Sequence, residues 1–200
     1  MAGIAMRDLL KIDIFQHQLE TLKETSLDSA NQIRMTESEL EVIDFDGVKN
    51  EYIADLKLVD TPKSNDALYI HESGALYFIE FKNGNMEKEI HGVRRKIFDS
   101  LLIFTDIIGQ GISFTREKMK YILVYNEEKS PDGRGNRLKK DEVQESVQYN
   151  RITSFISRSA GRTFDRFGLR NQFKGFCFKE VYTYTAEEFE EEFVEKVCLK

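Results

Sequence analysis

SNDALYIHESGALYFIEFKNG, residues 64–84, decides the fold. Ala67–His71 and Ala75–Lys82 are rich in aromatic and β-branched residues, and polar turn formers lie between and around them. That is the pattern of two strands joined by a tight turn at Glu72-Ser73-Gly74. Gly74 tolerates the positive φ that a short hairpin turn demands. Side chains alternate along a strand, so Glu80 and Lys82 leave one face while Phe81 goes to the other, toward the core. Asp66 opens the first strand.

This geometry can gather Asp66, Glu80 and Lys82 in one place. Two carboxylates can share a hard divalent cation, which takes oxygen ligands. A nearby ammonium can orient a water and steady negative charge developing on a phosphate. Asp66, thirteen intervening residues, then Glu80-Phe81-Lys82 resembles the D…(D/E)xK signature of the PD-(D/E)xK nuclease-like (restriction-endonuclease-like) superfamily. Asn65 stands where that signature usually has Pro. The resemblance implies metal-dependent phosphodiester hydrolysis of nucleic acid, DNA more than RNA. It implies Mg²⁺ or Mn²⁺ on Asp66, Glu80 and the Phe81 carbonyl, with Lys82 positioning or activating water. It also implies an accessory carboxylate from an N-terminal helix, a part open to Glu20 or Glu24, with Glu20 the metal candidate. The alternative is a non-catalytic nucleic-acid- or protein-binding protein on the same scaffold, because a fold can persist without its chemistry. A solvated strand edge with a surface ion pair also reads ExK. The order of the surrounding elements has to carry the rest.

Outward from the hairpin, residues 7–25 repeat apolar positions at near-helical spacing, predicting a helix that reaches Ala30. A strand is expected within residues 35–46, with a turn at Asp46-Gly47. Tyr52, Ala54, Leu56 and Leu58 alternate, predicting another strand over residues 51–60. Asp55 on it rivals Asp66 as a metal carboxylate. Downstream, Asn83-Gly84-Asn85 is a turn, and residues 86–108 carry the helical stripe Ile90, Val93, Ile97, Leu101, Phe104. Lys88, Arg94, Arg95 and Lys96 cluster in the first half of that helix. Lys88 and Arg95 are the candidates for electrostatic support of nucleic-acid phosphate, and His91 for a donor. Ile112–Arg116 reads as a short link, and Lys120–Tyr125 as a buried strand.

Helix, three strands, long helix, strand is the order of the superfamily core. The expected fold is therefore α/β: a central mixed β-sheet flanked by helices, a restriction-endonuclease-like α-β-β-β-α-β core and a C-terminal strand–helix extension. One domain is expected over residues 1–200, with the core at about 10–126 and the extension at about 127–200. Within that extension, Asn126–Lys140 is a charged, Gly-rich loop and residues 141–160 are a broken helix. Arg158, Arg162, Arg166 and Arg170 recur every four residues. Phe176–Tyr184 is a strand candidate, and Thr185 with Glu188 forms a capping box opening the last helix.

Composition bounds the function. The net charge of −6 does not advertise a nucleic-acid binder, but charge is unevenly spread. Residues 1–81 hold 7 Lys/Arg against 16 Asp/Glu, whereas residues 129–174 hold 11 against 5. A locally basic face is compatible with nucleic acid, and equally with an acidic protein partner or a homodimer. No apolar run approaches the ~20 residues that span a bilayer, so no membrane partner is expected. With no signal-peptide pattern and only Cys177 and Cys198, a cytoplasmic location is the expectation. The three histidines lack zinc-ligand spacing, and no Walker loop is present.

Overall fold

A computed structural model describes residues 6–130 and 166–198. The expected hairpin is its centre. Strands β5 (Ala67–Ile70) and β6 (Leu76–Lys82) pair antiparallel with Ala67 opposite Ile79. The turn between them closes through the Gly74 N–H to His71 O at 2.8 Å, with Gly74 at φ +84°. Before the hairpin come β1 (Leu19–Thr21), the small β2–β3 ribbon (Leu27–Asp28, Ile33–Arg34) and β4 (Glu41–Asp44). After it come β7 (Met119–Tyr125) and β8 (Glu180–Thr185). The main sheet runs β1-β4-β5-β6-β7-β8. It is antiparallel from β1 to β6 and parallel from β6 to β8. The chain is thus α/β, with a six-stranded mixed sheet flanked by helices.

A parallel neighbour needs a crossover, and the long helix α5 (Met86–Ile107) carries the chain from β6 toward β7. Asn85 starts it by accepting the Glu87 N–H at 2.9 Å, and Gly109 at φ +61° ends it. Its buried stripe of Val93, Ile97, Leu101 and Phe104 joins one sheet face, with Leu68, Phe78 and Tyr121 in the same cluster. Each such side chain contributes roughly 1.5–3 kcal/mol of hydrophobic stabilisation. The last helix, α8 (Ala186–Phe189), runs on as a π-helix over Glu190–Cys198. Its Phe189 and Phe193 join the opposite face, where Ala67, Ile79 and Ile122 lie. The predicted capping box at Thr185 and Glu188 is present, with both reciprocal hydrogen bonds.

Several expectations need correction. Residues 7–25 are not one helix. They form α1 (Met6–Leu9), α2 (Asp13–Gln16), β1 and α3 (Leu22–Thr25). Leu9 and Phe15 belong to the core on the α5 side, whereas Leu22 belongs to the core on the other side. The chain has to round the sheet edge between them, which a straight helix cannot do. Residues 51–60 are not a strand. Asp46-Gly47 lies inside helix α4 (Phe45–Tyr52), and an irregular segment follows in which Leu56, Leu58 and Val59 are exposed. Asp44 caps α4 by accepting the Asp46 N–H at 3.0 Å, and β4 takes the sheet position beside β5. The 112–116 link is a helix, α6 (Ile112–Lys118). The C-terminal strand begins at Glu180, after the short helix α7 (Leu169–Phe173). Arg158, Arg162 and the helix expected over 141–160 lie outside the described residues.

Candidate active site

Strand β5 begins at Ala67, opposite Ile79 and so one residue short of Glu80 on β6. The Ala67–Ile79 pair is the last rung of their ladder, so the edge of β6 beyond Ile79 is free of β5 backbone. Asp66 fills that gap: its Oδ2 accepts the Phe81 N–H at 2.6 Å. The N–H and C=O of one strand residue point to the same side, so the Phe81 carbonyl also faces Asp66. This clamp fixes the carboxylate of Asp66 next to the ExK strand. The Asn65 N–H donates to the buried Ser100 hydroxyl of α5 at 2.8 Å, tethering the start of β5.

Glu80 and Lys82 leave the same face of β6, as their spacing requires. The Lys82 Nζ is 3.1 Å from Glu80 Oε1 and 4.0 Å from Glu89 Oε2. Glu80 is wholly buried; its Oε1 meets two ammonium groups, and its Oε2 has no hydrogen-bond partner among the described residues. A second ammonium comes from α5. The Lys96 Nζ is 2.8 Å from Asp66 Oδ1 and 2.7 Å from Glu80 Oε1, bridging the two carboxylates.

The electrostatics follow from burial. Loss of water raises the Glu80 carboxyl to about 7, and the Asp66 charge adds to the rise, while Lys96 and Lys82 pull against it. Burial works against the Lys96 ammonium, but the Glu80 and Asp66 carboxylates outweigh it and push its pKa above the ordinary lysine range. Tyr121, on the neighbouring strand, is also wholly buried, with no partner for its hydroxyl among the described residues. Burial and the same two carboxylates hold that phenol well above its usual value.

No family model, curated protein or solved structure matches the chain. The site therefore stands on its own geometry.

A cleft of about 430 Å³ opens over the cluster. Asp28, Asp46, Asp66, Lys82 and Glu89 are among its lining residues. Asp46 accepts a hydrogen bond from Ser64 and faces Lys49 at 3.5 Å. Asp28 receives the Asn83 amide at 2.9 Å and the Asn31 amide at 2.7 Å, and these bonds hold its carboxyl below the usual range. Among the described residues, no group of three or more His, Cys, Asp or Glu is arranged to hold a metal. The donors present are two carboxylates and one backbone carbonyl. All are oxygens, and one of them, Glu80 Oε2, lacks a hydrogen-bond partner among the described residues. That set suits a hard cation such as Mg²⁺ or Mn²⁺, which completes its shell with water.

Of the residues picked from sequence, Asp66, Glu80, Phe81 and Lys82 come together. Glu20 does not. It lies on β1, opposite Val42, whose side chain belongs to the core on the far face of the sheet. Its Oε1 accepts the Thr21 N–H at 2.9 Å. Glu24 pairs with Arg34 at 3.1 Å, and Asp55 is exposed beyond α4. Lys88, His91 and Arg95 lie on the exposed side of α5, and Arg95 faces Asp99 at 3.4 Å. None of the three is ion-paired or hydrogen-bonded to the cluster among the described residues. The residue that does reach it is Lys96. Its signal was its place on the buried stripe, three residues after Val93 and four before buried Ser100.

No single helix among the described residues is long and apolar enough to cross a membrane.

Proposed function

We propose that the chain is a metal-dependent nuclease of the PD-(D/E)xK type, hydrolysing phosphodiester bonds in nucleic acid, DNA more than RNA. One observation carries the reading: Asp66, just before β5, and Glu80, on the adjacent strand β6, reach the same positive atom, with Lys82 on the same strand face as Glu80. The two carboxylates that Lys96 now satisfies at 2.7–2.8 Å share one positive partner, so a hard cation in its place would be within reach of both.

Asp66, Glu80 and the Phe81 carbonyl would hold Mg²⁺ or Mn²⁺. When bound, the ion acidifies a coordinated water and neutralises charge on the phosphate. The Phe81 N–H keeps Asp66 aimed at the site by donating to Oδ2, while Oδ1 meets the Lys96 ammonium. Lys82, at the edge of the cleft, orients the attacking water and steadies the phosphoryl oxygens as charge grows on them. The acidic lining disfavours a bare phosphate, so binding of substrate is coupled to binding of the cation. The basic residues Lys88 and Arg95, exposed on α5, would be the ones to meet a nucleic-acid backbone.

The second reading is a non-catalytic nucleic-acid- or protein-binding protein on the same scaffold. It is favoured by the Lys96 ammonium standing where the cation would go. Purified wild type, Glu80→Gln and Lys82→Ala, each given single- and double-stranded DNA and RNA with Mg²⁺, Mn²⁺ or chelator, separates the two. Cleavage by wild type that needs metal and is lost in both variants is expected. Cleavage that survives chelation equally in all three proteins, or none under any condition, removes the nuclease reading.

A further inference from the structure

Lys96 is the feature that the proposed chemistry leaves unused. Its Nζ is within ion-pair distance of both proposed ligands, 2.8 Å from Asp66 and 2.7 Å from Glu80. Its side chain is 17% exposed, and Glu80 is not exposed at all. Only one of the Asp66 oxygens meets Lys96, since the other is held by the Phe81 N–H. The same oxygen, Oδ1, is the one left for a divalent ion. A divalent cation bound to Asp66 Oδ1 and Glu80 would lie against the ammonium, and like charges in a water-poor site repel strongly. Both cannot occupy the place.

We infer that Lys96 is a built-in competitor of the metal, an internal cation that keeps Asp66 and Glu80 together until a divalent ion displaces its ammonium. The inference rests on the nuclease reading for the identity of the ion. Lys82 does not share this role. It touches Glu80 alone of the two ligands and is 3.1 Å away, so an ion between Asp66 and Glu80 can enter without evicting it. The Lys96 side chain keeps some contact with solvent, and its stem is long and flexible, which is what release of the ammonium requires. The competitor therefore sets the concentration of divalent ion at which the site fills. It also shields the buried Glu80 carboxylate and the half-buried Asp66 carboxylate from each other when no ion is bound.

Mn²⁺ binding measured by titration calorimetry, without nucleic acid, tests this on wild type, Lys96→Gln and Glu80→Gln. Lys96→Gln is expected to bind Mn²⁺ at least about tenfold more tightly than wild type, and Glu80→Gln to lose the site. Equal affinity of wild type and Lys96→Gln overturns the inference and leaves the nuclease reading standing. Absence of Mn²⁺ binding by both sinks the metal reading and the inference with it. If Lys96→Gln does not fold, wild type still decides. With ¹⁵N-labelled lysine side chains, saturating Mg²⁺ should shift the Lys96 ammonium resonance toward that of a solvated lysine. A bound ion that leaves that resonance unchanged refutes displacement.

Discussion

Replacing Lys96 by Met should destabilise the fold by about 3–5 kcal/mol at pH 8, because it strands a buried carboxylate. Its Nζ lies 2.8 Å from Asp66 and 2.7 Å from Glu80. At an effective dielectric of about 20, each contact carries roughly 6 kcal/mol of gross attraction. Desolvation of each ion offsets several kcal/mol of that. Glu80 can limit the damage by taking up a proton, which gives the loss a pH dependence. In wild type its carboxyl titrates at about 7, above its ordinary 4.5, so the folded chain binds that proton more tightly than the unfolded chain. Stability from this group is complete below about pH 4.5, declines as pH rises, and levels off above about pH 7. Without Lys96 the titration moves higher, and the decline continues through pH 8. The variant should therefore lose about 1 kcal/mol more at pH 8 than at pH 6. Urea unfolding of wild type, Lys96→Met, Glu80→Gln and the double variant at both pH values measures this as a coupling energy. A coupling above about 1 kcal/mol at pH 8 is expected. If Lys96→Met stays within about 0.5 kcal/mol of wild type at both pH values, the buried ion cluster is not what holds this end of the sheet.

Glu80→Gln should flatten the stability profile between about pH 4.5 and 7. Its advantage over wild type should grow across that window by an amount on the order of 3 kcal/mol. Parallel urea-midpoint curves for the two proteins would count against an elevated Glu80. Arg166 is buried, pairs with both oxygens of Glu188 at 2.8 and 3.2 Å, and lies 5.4 Å from the centre of the Tyr125 ring. Arg166→Met should lower stability by about 3–5 kcal/mol, and thermal unfolding within error of wild type would show the pair to be dispensable. Thr185→Ala removes one half of the capping box on α8 and should lower stability by about 1 kcal/mol in the same assay. A variant as stable as wild type would mean that the other half suffices.

The sequence by itself determined the elements whose signals are local. The period-2 alternation of β5 and β6 with a glycine turn, the 3.6-residue stripe of α5 and the Thr185 cap each complete themselves within a few residues. For the same reason Glu80 and Lys82 were legible as a same-face pair: strand geometry alone places them. Tertiary structure decided everything that depends on which side of the sheet a residue must reach. Residues 7–25 have the apolar spacing of a helix, yet Leu9, Phe15 and Leu22 belong to cores on opposite faces, so the segment breaks and contributes β1. That break carries Glu20 away from the cluster it was expected to join. Lys96 reads in sequence as one of several cations at the head of a helix. It bridges Asp66 and Glu80 only because α5 packs its Val93–Ser100 face against the strands that end there. Neutralising the buried Glu80 and its neighbour Asp66 takes a cation from a distant part of the chain, and no window of sequence contains both sides of that requirement.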